Sequence, residues 1–138
     1  MIAITGCARV TWLRSGAVGL SDALTNVYLP DSWVLDVETT DSLVCFVLDA
    51  ALHEGHPRYY WPPRAGEQHP YARLRWCLRG AVHWNEGPTL DRPAIGANAE
   101  LDYGHIDVWL QSGGRHMLEG DWGNVVIDEP DQSVEYLD

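Results

Sequence analysis

Residues 71–79 read Tyr-Ala-Arg-Leu-Arg-Trp-Cys-Leu-Arg, and their strict alternation decides the fold class. Ala72, Leu74, Trp76 and Leu78 fall on one side of an extended chain; Tyr71, Arg73, Arg75, Cys77 and Arg79 fall on the other. A period of two sends one face into a core and leaves the other polar, the signature of a half-buried strand. Gly80 permits a bend or bulge, after which residues 81–84 continue the strand.

Working outward, residues 43–50 are apolar on both faces and read as a central, doubly covered strand. A short polar link, residues 39–42, ties them to a strand over 32–38, so the two form a hairpin. In 32–38, Trp33, Leu35 and Val37 are set against Val34, Asp36 and Glu38. Residues 8–13 are a further extended run, and 15–27 hold the one candidate helix, a short turn capped by Ser21 or Asp22. Residues 53–70 and 85–104 read as loops. Beyond them, 105–111, 115–119, 124–128 and 133–137 are strand-like. They are separated by Ser112-Gly113-Gly114, by Gly120-Asp121-Trp122-Gly123, and by Glu129-Pro130-Asp131, which is read as a turn. The expectation is an all-β chain: one antiparallel β-barrel or sandwich of about seven or eight short strands, at most one short helix, and a single domain over residues 1–138. Its core is expected to hold Trp33, Leu35, Val44, Phe46, Leu48, Leu74, Trp76, Leu78, Ile106, Val108 and Val126.

A hydrophobic content of 46% with 21% charged residues over 138 positions excludes wholesale disorder. Twenty Asp and Glu against nine basic residues give a formal charge of −11, which argues against gripping nucleic-acid phosphates or anionic lipid. Every basic residue is Arg, so Lys Schiff-base and P-loop chemistry are excluded. The charge is uneven. Residues 58–85 set five Arg against Glu67 alone, whereas 86–138 set twelve acids against Arg92 and Arg115. Arg73, Arg75 and Arg79 are expected to pair with acids of neighbouring strands and not to bind nucleic acid. The acidic third either keeps the chain soluble or docks a basic protein.

Residues 1–14 show no basic segment followed by an apolar core, and no apolar run nears the roughly 20 residues that cross a bilayer. The chain is therefore read as cytoplasmic, with no membrane partner. Cys7, Cys45 and Cys77 form no CxxC and read as buried reduced thiols, with one disulfide plus a free thiol as the alternative.

The long loop 53–70 is Pro-stiffened and aromatic, and Tyr59, Tyr60 and Trp61 are its binding candidates, the alternative being rings that plug one end of the fold. Trp122 is a further candidate, as a stacking platform or as an inward-packing corner. Asp49, His53, Glu54 and His56, with His69 from the far end of the loop, are weak candidates for a divalent metal, against a plain polar loop. His105 and Asp107 share a strand face suited to acid–base chemistry or to solvent. No catalytic signature or cofactor motif is present.

Four stretches taken together, residues 29–36 (Leu-Pro-Asp-Ser-Trp-Val-Leu-Asp), 55–60 (Gly-His-Pro-Arg-Tyr-Tyr), 102–104 (Asp-Tyr-Gly) and 120–123 (Gly-Asp-Trp-Gly), are similar to small bacterial hypothetical proteins of unassigned activity. The pattern over about residues 27–137 also loosely resembles the acidic, Trp-rich immunity proteins of bacterial toxin systems. No catalytic residue carries over from that resemblance. The expected function is a non-enzymatic binding protein, of the immunity or inhibitor kind, that docks a basic partner through an acidic, Trp/Tyr-rich surface and needs no cofactor. The alternatives are a small-molecule-binding β-barrel with an aromatic-lined cavity and a metal-dependent enzyme built on His53 and His56.

Overall fold

The computed structural model describes residues 12–13, 23–91, 93–95 and 100–138. Within them the chain forms nine strands and no α-helix: β1 (Trp12–Leu13), β2 (Val27–Thr40), β3 (Leu43–Leu52), β4 (Tyr71–Glu86), β5 (Ala94–Ile95), β6 (Leu101–Asp102), β7 (Val108–Ser112), β8 (Arg115–Gly120) and β9 (Gly123–Tyr136). The all-β expectation holds. One antiparallel sheet runs β2-β3-β4-β9-β8-β7, with β1 also on β9, and β5–β6 make a separate two-stranded ladder. Two local meanders, β2-β3-β4 and β7-β8-β9, are thus joined where β9 returns beside β4.

The sheet curls without closing into a barrel. Val34 donates its N–H to Gly104 O and accepts at its own O from Tyr103 N–H, both at 2.8 Å, so the segment leading into β7 grips the β2 edge. β7 itself pairs with β8. The concave face is filled by aromatic rings. Phe46 packs edge-on to Trp122 with ring centres 4.8 Å apart, Trp76 meets Trp109 at 5.0 Å, and Trp84 meets Trp122 at 6.0 Å. Each of these indoles also places its N–H, as a buried or half-buried Trp must. Trp76 donates to Gln132 Oε1, Trp84 to Thr39 Oγ1, Trp109 to His116 Nδ1 and Trp122 to the His105 carbonyl, all at 2.9–3.0 Å.

The alternation read in 71–79 is the one observed: Ala72, Leu74, Trp76 and Leu78 are buried in that core. The phase slips elsewhere. In β2, Trp33 is 37% exposed and Leu35 only half-buried, and Val34 and Val37 take the core positions. Two irregularities cause this, one between Tyr28 and Trp33 and one between Val34 and Asp36. At the first, the buried Ser32 hydroxyl donates to Tyr28 O and accepts from Ala51 N–H, replacing ladder bonds. At the second, Asp36 Oδ1 accepts the Val37 N–H. Val125 and Ile127 likewise replace Val126 in the core, and Val108 is half-buried. Glu129-Pro130-Asp131 does not turn the chain. Glu129 and Pro130 together oppose one residue of β4, a bulge with one extra residue in a continuous β9, between the pairs Arg79–Asp131 and Ala81–Asp128. Gly80 sits opposite them, as the bulge reading of that glycine expected. The candidate helix reduces to a short 3-10 turn at 23–24 followed by a turn at 25–26 and the start of β2 at Val27, and residues 15–22 lie outside the described residues.

On the convex face Cys45 and Cys77 face each other directly across β3–β4 and form a disulfide. The expected reduced state of Cys45 and Cys77 is therefore replaced by the disulfide of the alternative reading. Their spacing in sequence carries no pairing information, whereas strand register puts them opposite each other. They lie with Leu43 beneath Trp12, whose ring is covered by the Arg79 guanidinium at 4.1 Å. Cys7 lies outside the described residues. Disulfides are rare in reducing compartments, so this bond runs against the expected cytoplasmic setting. No helix among the described residues is long and apolar enough to cross a membrane.

A Cβ on Gly80 would lie 2.4 Å from Asp128 O and 3.1 Å from Ile127 Cγ2, so even a methyl group must push β9 away from β4. Gly80→Ala is expected to lower stability by about 2–3 kcal/mol, the scale of an overpacked interior site, read as a lower urea midpoint.

Candidate functional site

Loop 53–70 divides the labour among its rings. Tyr59 is half-buried against the core cluster. Tyr60 is an anchor: its hydroxyl donates to Glu67 Oε1 at 2.8 Å and accepts the Tyr71 N–H at 3.0 Å, while Arg64 covers its ring at 4.5 Å. Glu67 Oε1 also accepts the Arg64 N–H, closing the loop on itself. Trp61, held between these fixed points, is 71% exposed. Of the three binding candidates, then, two brace the fold and one is displayed. Trp122 is 0% exposed among Phe46 and Trp84, which bears out the inward-packing corner and leaves no free face for stacking.

The histidines proposed for a metal are drawn apart. His56 accepts the Arg58 N–H at Nδ1 and meets Tyr136 Oη through Nε2 at 2.6 Å. Burial, helped by the Arg58 guanidinium, holds its pKa below the usual imidazole value. His69 pairs with Asp31 at 2.8 Å, and His53 and His69 both lie against the Tyr28 ring, with ring centres at 5.1 and 6.4 Å. Asp49 faces Arg73 across the β3–β4 ladder, not a histidine. Burial pushes the Asp49 carboxyl up to about 6 despite the Arg73 charge. Among the described residues no three His, Cys, Asp or Glu side chains converge on a metal position. His105 stacks on Trp33 at 4.0 Å and its Nδ1 bonds to Ser32 O; β7 begins only at Val108, so His105 and the exposed Asp107 do not share the expected strand face.

The arginines pair as expected. Arg73 makes a two-oxygen contact with Glu100 at 2.6 and 2.9 Å. Arg75 bridges Glu38 on β2 and Glu135 on β9, and Arg79 meets Asp131. Arg58 bonds Asp138 and covers the Tyr136 ring, and Arg115 bonds Asp128. With Arg64 on Tyr60, every guanidinium among the described residues is occupied.

The carboxylates are not. Nine exposed acids have no ion-pair partner among the described residues: Asp36, Asp41, Glu54, Glu86 and Asp91, and with them Asp107, Glu119, Asp121 and Glu129. The last four gather around the β7-β8-β9 meander. Asp107 enters β7 and donates its N–H to Glu119 O; Glu119 stands on β8 opposite Val108. Asp121 occupies the β8–β9 turn beside Gly104, and Glu129 lies beside Gly114 at the β7–β8 turn. Among the described residues only Arg115 is set with them, and Asp128 takes it. The sequence gives the acidic excess of this third but not its concentration, because which acids lose their charge to Arg depends on register.

Compared with protein-family models, with curated proteins and with solved structures, the chain finds no match.

The loop predicts a graded series. Trp61→Ala is expected to change stability by no more than about 0.5 kcal/mol, as for ordinary surface sites. Tyr60→Phe, which strands the Tyr71 N–H, is expected to cost about 1–2 kcal/mol, and Tyr59→Ala more than either; urea unfolding of the three variants checks the order.

His116 is fully buried, its Nδ1 is taken by Trp109, and its Nε2 has no partner among the described residues. Burial lowers its pKa, so the unfolded chain takes up a proton there before the folded one does. The stability this neutral ring contributes is present above the ordinary His pKa, near 6.5, and is lost as pH falls below it. His116→Asn, whose Oδ1 can replace Nδ1 as acceptor, is expected to be less stable at pH 7 but to lose less on acidification. The wild-type curve should fall more steeply, by at most about 1.4 kcal/mol per pH unit, in unfolding titrations between pH 7 and 5.

Proposed function

We propose that this chain is a non-catalytic binding protein, of the immunity or inhibitor kind, that docks a basic protein through the acidic β7-β8-β9 end of its sheet. One observation carries the reading: five of the six described guanidinium groups are paired with carboxylates and the sixth, Arg64, covers the Tyr60 ring, while exposed unpaired charge at this end is negative. Such a surface steers a basic partner and rejects acidic ones, while contributing less to raw affinity. The displayed Trp61 supplies a separate aromatic contact of the type that dominates interfaces. The other two readings gain less support. The concave face where a ligand cavity would lie is packed with rings, and the histidines for a metal centre are engaged separately with Tyr136, Asp31 and Tyr28.

The test compares the wild-type chain with a variant carrying Asp107→Asn, Glu119→Gln, Asp121→Asn and Glu129→Gln, each immobilised and exposed to lysate of the source cells. The wild type is expected to retain a basic protein in one-to-one ratio that elutes as salt is raised, and the variant to lose most of it. Equal retention by the two would refute the acidic dock.

A further inference from the structure

We infer that the open edge of β7 is a docking strand, taking an extended basic segment of a protein partner as an added antiparallel or parallel strand. This rests on the acidic-dock reading above and gives it a place and a mode.

The two ends of the sheet are built differently. The β2 edge carries Pro30 and two irregularities, and its Val34 is already bonded to residues 103 and 104. Those are the usual means of keeping an edge from pairing. β7 has none of them. It reads Val-Trp-Leu-Gln-Ser, without charge or proline, and its register with β8 is unbroken from Val108–Glu119 to Ser112–Arg115. Leu110, at its centre, is 58% exposed.

Hairpin geometry says which groups face the open side. Gly113 and Gly114 both have positive φ, 58° and 80°, and form a two-residue turn closed by Ser112 and Arg115. In such a turn the closing pair exchanges hydrogen bonds, and pairs alternate along the ladder. Val108, Leu110 and Ser112 therefore bond to β8, and the N–H and C=O of Trp109 and Gln111 point away from it. Neither residue has a backbone bond outside the ladder among the described residues. They offer a template of two donors and two acceptors to an incoming strand.

Charge chooses the occupant. Asp107 and Glu119 stand at one end of β7, Asp121 beside the segment that leads into it, and Glu129 at the turn that ends it. A second copy of this chain would bring the same carboxylates and a further charge of −11 to the contact. A strand alternating apolar and cationic side chains instead matches Leu110 and the acidic frame together.

The probe is a fluorescein-labelled Lys-Val-Lys-Val-Lys-Val-Lys peptide, followed by anisotropy at low salt against the full chain. A version with alternate backbone nitrogens methylated and a Glu-Val counterpart serve as controls. Gln111 is exposed, and proline is tolerated where an edge N–H faces solvent, so Gln111→Pro removes one template donor while leaving the β7–β8 ladder. Saturable binding is expected for the wild type and for Gln111→Ala. Binding should be about tenfold or more weaker for Gln111→Pro, and absent for both control peptides. Leu110→Lys, which sets a charge of the partner's sign on the edge, is expected to weaken binding likewise and covers the case in which the proline variant does not fold. Wild-type affinity in folded Gln111→Pro or in Leu110→Lys overturns the edge mode. If the quadruple carboxamide variant loses the peptide in that case, the acidic dock survives without it; if it does not, both readings fall. No peptide binding by the wild type overturns the edge mode alone, and so does a concentration-dependent dimer that Gln111→Pro abolishes.

Discussion

The structure depends on the pairing of β4 with β9. Either meander alone is a three-stranded sheet with one apolar face and nothing to put against it. Joined along β4–β9, the two make a sheet wide enough to curl, and the concave face becomes a core. The ring contacts run across that join: Phe46 of β3 meets Trp122 of the β8–β9 turn, and Trp76 of β4 meets Trp109 of β7. Trp76 also donates across it to Gln132. The bulge of Gly80 against Glu129 and Pro130 is the point at which the pairing bends. There the β4 amides of Gly80 and Val82 are taken by the carbonyls of Ser42 and Asp41, the turn that ends β2. A local defect in one ladder thereby fixes the position of a turn two strands away.

The same register controls the electrostatics. Because β4 lies between β3 and β9, its outward Arg75 reaches both Glu38 and Glu135, and Arg79 reaches Asp131. Cations on a central strand have acids on both sides and are neutralised there. The β7–β8 hairpin, at the sheet's far end, has one Arg, and its remaining acids keep their charge. Each such surface pair is worth little in stability, roughly 0–1 kcal/mol. Their larger effect is to decide where the net charge of the molecule resides, which is what a charged partner encounters.

The fold class was legible because residues 71–79 alternate without a fault and are bounded by a glycine that faces a bulge in its partner strand. β3, apolar on both faces, was legible for the same reason: the concave core covers one side and the Cys45, Leu43 and Trp12 cluster the other. β2 was misread in phase because a period-2 pattern cannot register an inserted residue, and β2 contains two irregularities, one supported by the Ser32 hydroxyl and one by the Asp36 carboxylate. Glu129-Pro130-Asp131 has the composition of a turn, but its neighbours on both sides are held by β4, and tertiary pairing overrode the local preference. The Cys45–Cys77 bond, the separation of His53, His56 and His69, and the isolation of four carboxylates are all facts about which strand lies beside which. The lack of charge or proline in residues 108–112 was readable, but it gained meaning only once β7 proved to be an edge.

The order of strands also sets a timetable. β2–β3 and β7–β8 pair through two-residue turns and need close only short loops. The β4–β9 ladder joins Leu74 to Tyr136 and Trp84 to Val125, residues far apart along the chain. Its loop-closure entropy must be overcome before any of its contacts is gained, and topologies of that kind assemble late and slowly. Until it forms, both meanders hold their aromatic faces open to water. Any state in which that ladder is open uncovers the molecule's most adhesive surface, and a net charge of −11 disfavours association between chains in such a state.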